Sequence, residues 1–126
     1  PVTSSDLYPT CLTAAGLPLH PAQHRDGLDL RPALQGDETL GRDALFWHYP
    51  NFAFHRDNRL GSAVRMGDYK LLEFFEDDVV ELYNLRKDLG ERSNLAGKDP
   101  GRATAMRKRL HRWRQESGAN MPRPRQ

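Results

Sequence analysis

Residues 62–75, read Ser-Ala-Val-Arg-Met-Gly-Asp-Tyr-Lys-Leu-Leu-Glu-Phe-Phe, restrict the fold more than any other stretch of the chain. Two apolar-rich runs, SAVRM and YKLLEFF, flank the dipeptide Gly67-Asp68. A two-residue loop with Gly first supplies the positive φ that a tight hairpin turn needs, so the runs are expected to pair antiparallel. Glu76-Asp77-Asp78 marks a second turn, and VVELYN (79–84) reads as a third strand. ALFWHY (44–49) is a compact apolar stretch and reads as a buried strand, which brings the count to four short antiparallel strands.

Beyond the strands the chain turns helical. Asp99 can cap a helix, and Pro100 suits its first position because the missing N–H would be unsatisfied there anyway. Over 101–117, Ala103, Met106, Leu110 and Trp113 recur at spacings of three and four, and Arg and Lys cover the remainder. An apolar helix stripe and a small sheet with one apolar face bury each other. The expected fold class is therefore α+β: a small four-stranded antiparallel sheet against a C-terminal amphipathic helix, preceded by a short helix and a loop-rich segment. That short helix falls within 4–18, capped by Ser4 or Ser5, with Leu7, Cys11, Leu12 and Ala15 as its inward stripe and Gly16 and Pro18 as its stop. Residues 18–43 read as loop, with one helical turn in Asp-Leu-Arg-Pro-Ala-Leu-Gln-Gly.

Composition narrows the function classes. A chain of 126 residues suits one compact domain, and no apolar run approaches the roughly 18 residues of a membrane helix. The formal charge is +2, and Arg102, Arg107, Lys108, Arg109, Arg112 and Arg114 spread around their helix rather than along one face. That distribution reads as a solvated, ion-paired surface, so neither nucleic acid nor membrane is an expected partner. The single cysteine excludes an internal disulfide. The opening PVTSSDLYPT has no initiator Met and no charged-then-apolar leader, and reads as if cut from something longer.

Few residues carry chemistry. His20 and His24 have helical metal-ligand spacing, but Pro18 and Pro21 oppose a helix and no Glu follows the first His. The tripeptides His24-Arg25-Asp26 and His55-Arg56-Asp57 lack the glycine-rich loop and Asp-Phe-Gly that would give them a kinase meaning. Cys11, on the stripe of the first helix, reads as a small core residue rather than a nucleophile. No catalytic residue and no metal ligand is expected. The strongest binding candidates cluster at the end of the 44–49 strand: His48, Asn51, His55 and Arg56, among Trp47, Tyr49, Phe52 and Phe54. Aromatic and cationic groups on a strand-end loop suit an anionic or sugar-like ligand. The competing reading of His48 is a core-edge histidine with its hydrogen bonds satisfied.

Several of these stretches together resemble the type I sulfatases. Asp6-Leu7, Pro9-Thr10, Ala15-Gly16, Asp26-Gly27, Leu30, Pro32, Leu34 and Gly36 follow that family's D-L-x-P-T, A-G and D-G-x-S-L-x-P-x-L-x-G run. Ala63, Arg65, Gly67, Lys70 and Leu71 resemble its A-x-R-x-G-x-x-K-L strand pair. ELYNLRKDLGERSNLA (81–96) resembles its E-L-Y-D-L-x-x-D-P-x-E-x-x-N-L-A sentence, with Asn84 for the usual Asp and Leu89 for the usual Pro. The resemblance implies that 1–43 is the tail end of a sulfatase catalytic domain and 44–126 its C-terminal subdomain, and that the sentence itself is structural. It also implies a formylglycine nucleophile, made from the Cys or Ser of C/S-x-P-x-R, and a calcium ion among Asp and Asn ligands. Neither has a counterpart here, since Cys11 is followed by Leu-Thr-Ala-Ala. Calcium and formylglycine are thus expected in a missing N-terminal part. The expected partners are the missing catalytic domain and, in the full-length protein, a sulfated small molecule or glycan. The isolated piece would expose apolar surface through which to self-associate, and a periplasmic or extracellular location goes with the resemblance. The alternative is a free-standing interaction module on the same sheet and helix.

Overall fold

The structure, a computed structural model, describes residues 1–36, 40–51 and 58–123. It falls into two compact units, Pro1–Arg42 and Asp43–Gln126.

In the first unit a 3₁₀ turn, Ser4–Asp6, runs into α1 (Leu7–Ala14), and a single further turn forms α2 (Arg31–Leu34). The entry to the turn is capped at Thr3, not at Ser4 or Ser5: the Thr3 N–H donates to Asp6 Oδ2 at 2.8 Å. Gly16 at φ +72 ends α1 as its sequence implies, with the Leu17 N–H reaching back to the Leu12 carbonyl at 2.8 Å. The face expected to be buried is not. Cys11 and Leu7 are exposed, and Asp6 and Pro9 are the fully buried residues. The reason lies 20 to 36 residues away. Asp6 accepts from the Leu28 N–H at 2.9 Å and from the Arg42 guanidinium, Thr10 Oγ1 accepts from the Leu30 N–H at 2.9 Å, and these bonds choose which side of α1 faces inward. Gly27 completes the contact, because a Cβ there would lie 2.2 Å from the Ser5 carbonyl oxygen.

The second unit is a meander. Strands β1 (Leu45–Tyr49), β2 (Gly61–Met66), β3 (Tyr69–Phe74) and β4 (Val80–Asn84) form one antiparallel sheet in the order β1-β2-β3-β4. Gly67 takes φ +54 in the two-residue turn between β2 and β3, the geometry its sequence implies. Helix α3 (Pro100–Ser117) follows, with Asp99 accepting from the Arg102 N–H and Gly118 left-handed at its end. The register sets Phe46 opposite Val64, Val64 opposite Leu71 and Leu71 opposite Leu82. Val64, Leu71 and Leu82 are wholly buried beneath Ala103, Met106 and Leu110 of α3. Trp113, at the end of the same stripe, is half-buried and stacks flat on Phe46 with ring centroids 4.8 Å apart.

β1 departs from expectation. It is an edge strand, not a buried one. Phe46 and His48 face the helix side, while Trp47 and Tyr49 on the other face remain 45% and 46% exposed. The opposite edge is closed. Asn94 Oδ1 accepts from the Leu82 N–H at 3.0 Å, and the Leu95 N–H donates to the Leu82 carbonyl at 2.7 Å. A loop side chain thus takes the place of a fifth strand. This is the role of the ELYNLRKDLGERSNLA sentence. Asn84 Oδ1 accepts from the Arg86 and Lys87 amides at 3.1 and 3.2 Å, and Asp88 Oδ2 accepts from those of Arg92 and Ser93, both at 2.8 Å. The left-handed residue of the sentence is Glu91, at φ +52, and its carboxylate pairs with Lys70. Asn94→Ala removes the bonds to Leu82 and Ala96 and should cost about 1–2 kcal/mol in chemical denaturation. An unchanged midpoint would show that the edge needs no such cover.

Candidate functional site

One row along the sheet from the apolar ladder, the residues facing α3 become polar. Register places His48 opposite Ser62 and Ser62 opposite Glu73. Ser62 and Glu73 are both buried. Glu73 lies beneath two arginines and a histidine of α3. Its Oε1 accepts from Arg107 Nε at 2.7 Å, its Oε2 forms an ion pair with Arg114 Nη2 2.7 Å away, and His111 Nε2 lies 2.8 Å from Oε1. Burial pushes the Glu73 carboxyl up, but the His111 and Arg107 hydrogen bonds and the Arg114 charge outweigh it and hold it below its ordinary value. Asp78 adds a second carboxylate on Arg107. Sequence reasoning missed this cluster, although its signal is present. Glu73 shares the parity of Leu71 on β3, and Arg107, His111 and Arg114 recur at four and three residues on α3.

His48 closes the other end of the row. Its Nδ1 lies 2.7 Å from Ser62 Oγ and its Nε2 lies 2.7 Å from the Asn120 carbonyl. A carbonyl only accepts, so Nε2 carries the proton, and in the neutral ring Nδ1 accepts from the serine hydroxyl. The ring sits edge-on to Phe75 and Trp113, with centroids 5.8 and 6.5 Å away. Beyond β1, Pro50 and Asn51 line a cleft of about 730 Å³ together with Leu60 and the tail residues 119–123. The structure therefore brings His48 and Asn51 to one corner of the unit. His55 and Arg56 lie outside the described residues.

The remaining candidates stay apart. The His20 N–H donates to His24 Nε2 at 3.1 Å, which uses that ring locally. Among the described residues no three His, Cys, Asp or Glu side chains converge as a metal site. Among the α3 cations, Arg102 pairs with Asp99 and Arg109 with Asp43, besides Arg107 and Arg114 on Glu73. Three of these arginines also lie over rings, those of Tyr69, Phe46 and Phe75.

Residues 2–116 match the family described as N-sulphoglucosamine sulphohydrolase, C-terminal. The chain belongs to this family. A sulfatase of Formosa agariphila is 36% identical over 126 residues, which cover 89% of this chain and 23% of that protein. The delta 4,5-hexuronate-2-O-sulfatase of Bacteroides thetaiotaomicron is 36% identical over 98 residues, covering 75% of this chain and 19% of that protein. Among solved structures, a 2-O GAG sulfatase superposes with a TM-score of 0.72 at 29% identity, over 90% of this chain and 25% of that one. The chain thus spans roughly a fifth to a quarter of the length of the sulfatases it matches, and it corresponds to a C-terminal portion of them. Glu73 with Arg107, Arg114 and His111, the Asn94 edge cover and the Asp6 capture are polar contacts within this C-terminal portion.

Proposed function

We propose that this chain is a noncatalytic C-terminal portion of a sulfatase, a sulfuric ester hydrolase, that supports the catalytic domain and walls its substrate pocket. One observation carries the reading: a match to the C-terminal sulfatase family over residues 2–116, in a chain that lacks any C/S-x-P-x-R nucleophile motif. The formylglycine and calcium of the family do not fit the residues present. Cys11 lies exposed on α1 without the required Pro and Arg, and the described residues offer no converging donor set. Both groups belong to the upstream part of the polypeptide, and no chemical step runs through this chain.

Support for a supporting role comes from what the surface leaves uncovered. Trp47 and Tyr49 on the sheet, and Val2, Leu7, Leu17 and Leu34 on the first unit, are large apolar side chains more than two-fifths exposed. A catalytic domain is the occupant that the reading assigns to them, and self-association is what the isolated piece would do instead. The pocket wall is the strand-end segment that holds His48, Asn51, His55 and Arg56. The substrate class is a sulfated glycan, in keeping with relatives named as a hexuronate-2-O-sulfatase and a GAG sulfatase, and an exported location accompanies it.

The test is kinetic and uses the enzyme with its upstream portion present. Asn51→Ala should raise KM for a sulfated disaccharide several-fold while leaving KM for a small aryl sulfate nearly unchanged. Equal changes for both substrates would remove the pocket-wall assignment.

A further inference from the structure

The His48 geometry bears on more than its own role. Helix α3 ends at Ser117, Gly118 turns left-handed, and the Ala119 N–H returns to the Arg114 carbonyl at 2.9 Å. The chain is thereby directed back along the sheet rather than away from it. His48 then fastens it, Nε2 to the Asn120 carbonyl, while Ser62 fixes the other face of the ring. Both ring nitrogens are spent on these bonds, which leaves His48 none to offer a ligand. What the latch achieves is a wall. Residues 119–123 form one side of the 730 Å³ cleft, and Pro50, Asn51 and Leu60 form the other. Of the described residues lining that cleft, Arg123 carries a charge, Asn51 and Asn120 bring amides, and Leu60, Met121 and Pro122 bring apolar surface. A cation, two amides and an apolar floor are complementary to a sugar ring bearing a sulfate ester.

We propose that the tail residues Asn120–Arg123 and Asn51 form a subsite for a sulfated sugar ring, with Arg123 as its anion-binding side chain and His48 as the positioning residue that holds the tail in place. The proposal rests on the sulfatase reading above and names residues that the strand-end loop alone would not provide. The guanidinium donates its fork of N–H groups to the sulfate oxygens, and the amides bond ring hydroxyls.

The experiment is a titration of the 126-residue chain with a sulfated heparin disaccharide, followed by amide chemical shifts and calorimetry. The same disaccharide without its sulfates and the uncharged sugar lactose serve as separate arms. The sulfated disaccharide should move the amide signals of Asn51, Ala119 and Asn120. Its affinity should fall about tenfold in Arg123→Gln, the loss of one charge-assisted contact. His48→Ala should weaken binding to a similar extent, and His48→Gln, which keeps an N–H donor for the Asn120 carbonyl, should recover most of it. A residue that only stabilised the fold would lower the melting temperature without this recovery of affinity. The subsite is overturned if Arg123→Gln binds as well as the parent chain, if the desulfated disaccharide binds equally well, if the shifts fall elsewhere, or if nothing binds. Those results leave the sulfatase assignment standing, because that assignment is tested by turnover and not by this titration.

Discussion

Glu73→Ala should destabilise the second unit by about 3–5 kcal/mol, the usual cost of removing one side of a buried ion pair. The size follows from what is left behind. Arg114 has only 10% of its side chain exposed, and its Nη1 already lacks a hydrogen-bond partner among the described residues, so removal of Glu73 takes away the carboxylate beside a buried guanidinium. Arg107 keeps Asp78, and His111 turns to water. Glu73→Gln retains shape and one acceptor oxygen and should lie between Ala and the parent. The pH dependence has a defined sign. A carboxylate held below its ordinary value contributes stability above that value, near 4.5 for Glu, and loses it as the pH falls through the lower folded value. Denaturation at pH 7 and pH 4 should therefore show the parent weakening in acid and Glu73→Ala weakening less. An identical acid slope in both proteins would mean that the charge cluster contributes nothing to the fold.

Asp6→Ala is the second large effect, again about 3–5 kcal/mol, confined to the first unit. The substitution leaves Arg42, with 9% of its side chain exposed, without its carboxylate, and it removes the acceptor of the Thr3 and Leu28 N–H groups. Burial would raise the Asp6 carboxyl, but the Arg42 hydrogen bonds, the two backbone N–H groups and the Arg42 charge bring it down to about 2 from 3.8. That difference corresponds to about 2 kcal/mol of stability present above pH 4 and lost between pH 4 and pH 2. Hydrogen exchange reads it locally. The Leu28 amide, protected by Asp6 Oδ1, should exchange orders of magnitude faster in the variant. Unchanged exchange at Leu28 would show that the ion pair does not hold the 26–30 loop.

What the sequence disclosed and what it hid divide along the range of the interactions. The β2–β3 turn at Gly67 and the two ends of α3 at Asp99 and Gly118 depend on neighbours within a few residues, and turn and cap chemistry announces them. The burial of β1 does not. Phe46, Trp47, His48 and Tyr49 are large on both parities, so alternation cannot say which side chains are covered, and here Trp47 and Tyr49 stay exposed while Leu45 on their own face is buried. For α1 the apolar spacing pointed to Leu7 and Cys11, yet hydrogen bonds from Leu28, Leu30 and Arg42 turned the helix the other way. In the candidate site, position along the chain was enough to bring His48 and Asn51 together. The fastening of His48 to Asn120, 72 residues on, has no local signature. Glu73 was legible in principle, because an acid on the buried parity of a strand demands cations from whatever covers it, and α3 presents them at matching intervals.

The central claim is that this portion of a sulfatase supports chemistry performed elsewhere in the polypeptide. The most direct measurement is hydrolysis of a chromogenic aryl sulfate by the purified 126-residue chain, with calcium supplied. The account predicts no turnover above the uncatalysed rate. Turnover that disappears when a residue of this chain is replaced, Cys11→Ala for instance, would contradict it.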